Sequence, residues 1–412
     1  MTELDLDGDD VQSDAVDELP DELVDESEGD GKLTAEDVQD VLLYTLDWSV
    51  QSLLDRIGRT FDINPAFQRR DAWNAERKSR YIESLMLGLP VPQVVLAEDK
   101  HSKRFIVLDG KQRLVTMKQF GAPDGQFRAF RLRKLNFLEQ LNGKKFDQIQ
   151  KSSETAEWAE SFLNQPVRTI VVRNWGKTEV LYEVFRRLNQ GSLPLSPQEL
   201  RQALFPGEFS TWINETSANS SAIQRARRLK REDFRMRDAE LLLRSIAFQE
   251  AIESYDGNLR EFLDRMCENG NANWASRREE YQKHAAATEK SIERTEMIFG
   301  AGNTFLRYID GEHPEYVRRF NVAVFDLMCM VLSSPEVTDS IVEDHRDTFK
   351  HRFEELCLRD TEFSDALKST TKTPRATARR IISFGRAVEE ETGLSLSVVR
   401  RAETLIAHAP KH

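Results

Sequence analysis

Residues 105–121 have the sequence FIVLDGKQRLVTMKQFG, in which the residue pattern changes twice. The first four residues form a short apolar run of the kind that makes a buried strand. Asp109 and Gly110 end that run with a turn signal, and a helical pattern follows that closes near Gly121. A strand that opens directly into a helix is typical of a domain with mixed α and β structure, so this stretch predicts the fold class of the region around it.

Comparable elements are predicted on both sides. The patterns favour helices at residues 49–57, 76–88, 177–191 and 196–204, strands at 94–97 and 166–175, and a strand, a turn and a short helix within 127–149. The run Ser-Pro-Gln-Glu at 196–199 adds a capping-box start signal. From about residue 220 onward the remaining patterns are helical. We therefore predict an α+β fold class, with an acidic tail at residues 1–40, a mixed domain at 41–215 and an all-α domain at 216–412.

The charge of the chain is concentrated at its N-terminus. Residues 1–31 contain fourteen Asp/Glu and no Lys/Arg, and the remainder has 58 Lys/Arg against 56 Asp/Glu, a net charge of +2. We expect this acidic segment to be disordered, either as a solubilising extension or as a mimic of nucleic acid that screens a basic groove. The sequence has no membrane-length apolar run, no signal-peptide pattern and no paired cysteines, so we expect a cytoplasmic protein.

The pentapeptide DGKQR at 109–113 is the first candidate site. A strand that ends in Asp-Gly and opens a helix brings backbone N–H groups and the positive helix end to one point. Arg113 can bind an anion through two nitrogens, Lys111 adds a point charge, and Asp109 can coordinate Mg²⁺ or orient a water. These residues suit a phosphate-bearing ligand. The alternative is a tight turn whose charges are solvated and ion-paired.

A second basic and amide cluster precedes the helix predicted at 76–88. The segment NPAFQRRDAW carries Gln68, Arg69 and Trp73, and Lys78 follows at the start of the helix. Both clusters adjoin predicted extended segments, so they could converge on one anionic substrate. The alternative is that the cations are solvated at a sheet edge and that Trp73 belongs to the core.

Five blocks in a fixed order carry a resemblance to a known family: INPAFQRRDAW, KSRYIESLMLGLPVPQVVLAE, VLDGKQRLVTMKQF, LNGKKF and YEVFRRLNQGSLPLSPQELRQALF. Together they resemble the N-terminal domain of GmrSD-type restriction systems, a family marked by a DGQQR motif on a ParB/sulfiredoxin-like fold. The helical half is also similar to the family's usual continuation. The resemblance implies a nucleoside triphosphate as ligand, its hydrolysis, and a role in prokaryotic defence against foreign DNA.

The resemblance maps site residues onto this sequence. The family motif maps onto residues 109–113, and we expect Asp109, Gln112 and Arg113 to be catalytic and Asp109 to hold Mg²⁺. The residues expected to bind the nucleotide and its phosphates are Gln68, Arg69, Lys78, Gly110, Lys111 and Asn189.

The sequence departs from the family at two points. Lys111 stands where the motif usually has Gln, which adds charge and removes a hydrogen-bond acceptor. Many relatives end in an HNH nuclease domain, whose chemistry needs a His base and metal ligands. The seven histidines here form no such constellation, so the sequence predicts no nuclease domain. A Walker A loop is also missing from the sequence.

A basic run near the predicted domain boundary is a candidate for DNA contact. It contains Arg225, Arg227, Arg228, Lys230 and Arg231, and such a stripe can bind a phosphate backbone. The alternative is a solvated hinge between domains. A competing function for the whole chain is therefore a non-catalytic DNA-binding clamp or adaptor that recruits a separately encoded nuclease.

Overall fold

The computed structural model of the chain describes residues 33–61, 63, 73–100, 102–188, 196–229, 233, 235–311, 313–368 and 373–408. Most of the predicted acidic tail lies outside these residues. The short helix Ala35–Gln39 falls inside the segment assigned to the tail, and Thr34 and Asp37 form a capping box at its start. In the described chain, therefore, regular structure begins before residue 41.

A four-stranded sheet organises the first half of the chain. Its strands are β1 (Leu42–Ser49), β2 (Val94–Glu98), β3 (Phe105–Asp109) and β4 (Pro166–Arg173). The order across the sheet is β1-β4-β2-β3, in which the β4–β2 pair is parallel and the other two pairs are antiparallel. Strand β3 is an edge strand, so the turn that follows it lies at the margin of the sheet.

Helices cover both faces of the sheet. They are α1 (Ala35–Gln39), α2 (Val50–Arg56), α3 (Ala75–Met86), α4 (Lys111–Gly121), α5 (Phe146–Lys151), α6 (Ala156–Asn164), α7 (Thr178–Leu188) and α8 (Pro197–Leu204). Because successive strand residues point to opposite faces, Val94 and Leu96 pack in the cluster with α2 to α6, while Val95 and Ala97 pack with Leu181 of α7 and its neighbours. This is the mixed α and β arrangement that the sequence predicts; the finer expectation of a ParB/sulfiredoxin-like fold stays a prediction.

The second half of the chain is mainly helical. Its helices are α9 (Glu208–Asn219), α10 (Ser221–Arg227), α11 (Arg237–Ala251), α12 (Leu259–Ala272), α13 (Trp274–Phe299), α14 (Val322–Leu332), α15 (Asp339–Arg359), α16 (Thr361–Lys368), α17 (Pro374–Thr392) and α18 (Ser397–His408). Helix α14 is buried from Ala323 to Leu332 inside one continuous core, and apart from Asp326 its residues are apolar. Helix α9 crosses the predicted boundary at 215, and its Phe209 and Ile213 belong to this helical core.

Two sequence predictions are corrected by the structure. The second half is not purely helical, because β5 (Tyr308–Ile309) and β6 (Glu315–Tyr316) form a small antiparallel hairpin. The strand predicted within 127–149 is absent from those residues, where an irregular loop leads into a short 3-10 helix at Glu139–Leu141 and then α5. The backbone of this loop bonds to side chains of α3 instead of to a strand. Within the described residues, no helix has both the length and the apolar character to cross a membrane.

Candidate functional site

The turn between β3 and α4 has a backbone that only glycine accepts readily. Gly110 has φ of 95° and is the N-cap of α4. A Cβ at this position would lie 3.0 Å from Cγ2 of Val94 and 3.2 Å from Nε of Arg113. The left-handed conformation and the close approach both require glycine here. The chain is therefore held tightly against the neighbouring strand where α4 begins.

Asp109 and Arg113 form an ion pair across this turn. Oδ2 of Asp109 accepts a hydrogen bond from Nη2 of Arg113 at 2.7 Å, and Oδ1 accepts from the backbone N–H of Gly110 at 2.7 Å. The same Nη2 donates to the carbonyl oxygen of Gln93 at 2.9 Å. The Arg113 side chain is only 11% exposed, against 29% for Asp109. The guanidinium is thus fixed in position before any ligand arrives.

Several buried polar atoms around this ion pair have no hydrogen-bond partner. Among the described residues they include Nε of Arg113 and Oε1 of Gln112 on α4, and the hydroxyl of Tyr81 on α3. Burial raises the pKa of Tyr81, and the nearby positive charge of Arg113 opposes that rise. A buried donor or acceptor without a partner costs about 1–3 kcal/mol, so proteins rarely leave several together. The Nε–H of Arg113 and the hydroxyl of Tyr81 can donate to an anionic group, whereas Oε1 of Gln112 can only accept a hydrogen bond.

Lys111 is turned toward the protein. Its Nζ lies 3.8 Å from Oε1 of Glu199 on α8, and both side chains are 10% exposed. Oε2 of Glu199 accepts from the backbone N–H of Ser196 in the capping box of α8. Burial raises the pKa of Glu199, and the charge of Lys111 opposes the rise. The charge that distinguishes this motif from DGQQR therefore has a carboxylate next to it.

The predicted Mg²⁺ site at Asp109 has a limited set of ligands. Each carboxylate oxygen of Asp109 already accepts one hydrogen bond, and the Arg113 guanidinium offsets its charge. Mg²⁺ in phosphate sites is often held by one or two carboxylates together with substrate phosphates. Asp109 fits that role if the ion arrives with a nucleotide. The arrangement fits an anion better than a bare cation.

The second predicted cluster is described only in part. Gln68, Arg69 and Asn189 lie outside the described residues, so their convergence with Asp109 and Arg113 stays a prediction. Lys78 is half-buried on α3 with its Nζ 5.7 Å from the centroid of the Phe130 ring.

Trp73 lies two residues before α3. Its ring meets that of Tyr81 edge to face at 5.5 Å, and the guanidinium of Arg77 covers it at 4.7 Å. Trp73 therefore supports Tyr81, which in turn lies near Arg113.

The basic run predicted for DNA contact is tied into the protein where it is described. Arg225 pairs with Glu296 at 3.2 Å, Arg227 is buried over the Phe320 ring at 4.8 Å, and Nη2 of Arg228 donates to the carbonyl of Gly302 at 2.8 Å. Lys230 and Arg231 lie outside the described residues. The structure thus gives these three arginines partners within the chain, and DNA contact by the run stays a prediction.

A further set of possible metal ligands lies on the helical half, away from the predicted residues. Glu250, Glu280 and His284 bring their ligand atoms within 4.8 Å of one another. Nη2 of Arg277 already pairs with Glu250 at 2.6 Å and with Glu280 at 2.7 Å. A guanidinium therefore occupies the cationic position of this cluster, which we interpret as an ion-pair network.

Sequence reasoning missed the residues that reach the turn from other elements. Tyr81 fitted an apolar helix face, and Glu199 fitted a capping box, so neither carried a signal of its own. Gln93 contributes only its backbone carbonyl to Arg113, which no side-chain pattern could indicate. Their contacts with Arg113 and Lys111 depend on how α3, β2 and α8 pack around α4.

Comparison with known proteins assigns the region that contains this turn. No curated protein matches the chain. Residues 50–206 match the family described as GmrSD restriction endonuclease, N-terminal domain. The match includes the whole of β2, β3, β4 and the helices around them, and with them Asp109, Gly110 and Arg113. Residues 50–206 of this chain are therefore similar to the N-terminal domain of the GmrSD restriction endonuclease family.

Proposed function

We propose that the domain at residues 50–206 binds a nucleoside triphosphate at the Asp109–Arg113 turn and hydrolyses it, as the sensing or regulatory component of a defence system against foreign DNA. One observation carries this proposal. Arg113 is a buried guanidinium with an unpaired Nε, fixed beside the start of an eleven-residue helix. A fixed guanidinium and a helix N-terminus both favour phosphate oxygens.

The assignment of roles follows from these positions. Arg113 and the first N–H groups of α4 would neutralise and orient the phosphates, since charged hydrogen bonds from fixed donors stabilise developing negative charge. Asp109 would orient the attacking water, with Mg²⁺ bound to the phosphates supplying further charge neutralisation. Gln112 would offer its unpaired Oε1 as an acceptor for that water or for the nucleotide. Gln68, Arg69, Lys78 and Asn189 complete the proposed binding set.

Binding and hydrolysis are tested separately. The first measurement is the affinity for a fluorescent nucleoside triphosphate analogue. Loss of a charge-assisted hydrogen bond costs about 1.5–3 kcal/mol, so we expect Arg113→Ala to weaken binding by about 10- to 150-fold. The matched control is Arg168→Ala, which breaks an exposed pair with Asp47 at the opposite side of the same sheet. Equal affinity of wild type and Arg113→Ala would refute the binding site.

The second measurement is phosphate release from each NTP, with and without DNA. Removal of a group that positions a water or transfers a proton lowers turnover by about 10²- to 10⁴-fold. We expect such a loss for Asp109→Ala, with nucleotide affinity changed much less. Equal rates for wild type and Asp109→Ala would refute the catalytic role while leaving the binding site intact.

A second candidate function is a non-catalytic DNA clamp or adaptor that recruits a separately encoded nuclease. The observation that favours it is that charged side chains of the motif already lie next to charges of opposite sign. Asp109 is paired with Arg113, and Lys111 lies beside Glu199, so neither charge stands alone. This function predicts DNA binding without phosphate release, and DNA affinity that survives Arg113→Ala.

A further inference from the structure

The loop between α4 and α5 carries a concentration of positive charge. We call residues 127–145 the basic loop. It contains six Lys/Arg and one Asp/Glu, a net charge of +5, whereas the whole chain from residue 32 onward has a net charge of only +2. The cations of the basic loop are Arg128, Arg131, Arg133, Lys134, Lys144 and Lys145.

The basic loop buries five of its apolar residues and exposes most of its cations. These side chains pack in the same hydrophobic core as α3 and α4. They are Phe127, Leu132, Leu135, Leu138 and Leu141. The first four of the six cations are exposed, and the last two are partly exposed. The loop is therefore attached by one face and presents its charge on the other.

Two side chains of α3 fix the backbone of the basic loop. The buried carboxylate of Glu83 accepts hydrogen bonds from the backbone N–H groups of Asn136, Phe137 and Leu138, at 3.1, 2.7 and 2.8 Å. Oγ of Ser79 accepts from the backbone N–H of Arg133 at 2.9 Å. Because the backbone is held in this way, the cations keep a defined spacing before any partner binds.

The nearby carboxylates leave much of this charge uncompensated. Glu83 is engaged by backbone amides beneath the loop, and Glu76 pairs with Lys134 at 3.2 Å. Within the described residues, the side chains of Arg133, Lys144 and Lys145 have no carboxylate within 4 Å. Uncompensated cations on a fixed backbone attract a polyanion strongly at low salt.

The basic loop also carries an exposed aromatic ring. Phe137 is 69% exposed, although its own backbone N–H is anchored by Glu83. Single exposed apolar side chains are common on protein surfaces, so what distinguishes Phe137 is its place on a fixed loop rich in cations. A flat ring beside spaced cations is the combination that binds nucleic acid, because phosphates pair with the cations and a base stacks on the ring.

We propose that the basic loop is a DNA-docking surface, in which Arg133, Lys144 and Lys145 contact backbone phosphates and Phe137 stacks against an exposed base. An acidic peptide would match the charge but offers no base to the ring, and a lipid surface offers headgroup charge without a stacking partner. None of the four residues named here belongs to the proposed nucleotide-binding set, so the proposal does not depend on nucleotide hydrolysis.

The test compares two charge-matched triple variants of the full chain. Arg133→Gln, Lys144→Gln and Lys145→Gln together remove the proposed phosphate contacts. The control variant replaces Lys283, Arg318 and Arg319, which are exposed cations on the helical half, with Gln. Affinity for a fluorescent 30-base-pair duplex and a 30-nucleotide single strand is measured over a range of salt concentrations. Thermal melts confirm that both variants are folded.

We expect the basic-loop variant to lose at least tenfold in affinity at 0.1 M salt. Each phosphate contact contributes about 0.9 to the slope of log affinity against log salt on duplex DNA, so three lost contacts lower the slope by about 2.7. The control variant is expected to keep the wild-type slope. Equal losses in the two variants, or a wild-type slope in the basic-loop variant, would overturn the proposal.

The stacking role of Phe137 has its own measurement. Phe137→Ala is expected to weaken single-strand binding at least fivefold and leave the salt slope unchanged, because stacking on an aromatic ring involves no counterion release. An unchanged single-strand affinity would remove the ring from the surface. Vesicles with anionic headgroups and single-stranded RNA serve as competitors. If either displaces the DNA more effectively than unlabelled DNA does, the surface is not one for DNA.

Discussion

The sharpest stability prediction concerns Glu83, which holds the basic loop from below. Its carboxylate is 4% exposed and accepts three backbone hydrogen bonds. Hydrogen bonds to a charged group contribute about 1.5–3 kcal/mol each, but the buried charge also loses hydration. Removing the acceptor leaves three amides without a partner, so we expect Glu83→Ala to lower the free energy of unfolding by about 3–5 kcal/mol.

Glu83→Gln separates the charge from the shape of the side chain. The carbonyl of the Gln side chain can still accept the two bonds that Oε1 of Glu83 now accepts, from Phe137 and Leu138. Its amide nitrogen is a donor, so it cannot replace Oε2, which now accepts from Asn136. We therefore expect a smaller loss of about 2 kcal/mol for Glu83→Gln.

The assay is calorimetric unfolding, combined with hydrogen exchange of the loop amides. For a region of this size, 1 kcal/mol corresponds to about 2–4 °C in Tm, so Glu83→Ala should lower Tm by about 6–20 °C. The control is Glu76→Gln on the same helix, whose pairs with Arg80 and Lys134 are solvent-exposed and should contribute less than about 1 kcal/mol. If Glu83→Gln and Glu76→Gln lower Tm equally, the anchoring role of Glu83 is wrong.

Three further predictions concern other parts of the fold. Gly110→Ala should lower the free energy of unfolding by about 2–3 kcal/mol more than Gly143→Ala does, as measured by urea unfolding. Both glycines have positive φ, but only a Cβ at position 110 would lie close to neighbouring atoms. Asp326→Ala should lower the free energy of unfolding by about 3–5 kcal/mol in the same assay, because it leaves the fully buried Arg244 without its closest carboxylate. Burial raises the pKa of Glu199 in the folded state above its usual 4.5. Protonated Glu199 therefore stabilises the fold below about pH 4.5, and this stabilisation is lost as the pH rises toward the folded-state pKa. Glu199→Gln should flatten this pH dependence of Tm, and an unchanged profile would contradict it.

The sequence predicted best those elements whose signals are local. The start of α8 was predicted from Ser196, Pro197 and Glu199, and the structure has the capping box there with proline at the first helical position. Strand β3 and helix α4 were likewise predicted from the change of pattern at Asp109-Gly110, because a glycine in the left-handed conformation is a local requirement.

Elements that depend on distant partners were harder to predict. Strand β1 was not predicted, because its burial pattern is almost entirely exposed and its structure depends on pairing with β4 more than a hundred residues later. The strand predicted within 127–149 was wrong for a related reason. Alternating basic and apolar residues resemble a strand, but Glu83 and Ser79 supply the hydrogen bonds that a neighbouring strand would have supplied.

Helix α8 contacts residues in both halves of the chain. At one point its Glu199 faces Lys111 of the proposed nucleotide site, and two residues later Nε of Arg201 donates to Asp264 of α12 at 2.7 Å. Arg201 is fully buried, so this second contact is fixed within the packing of the helical half. An eight-residue helix is a rigid rod about 12 Å long. One short helix therefore carries both a charged contact to the proposed nucleotide site and a buried charged contact to the helical half.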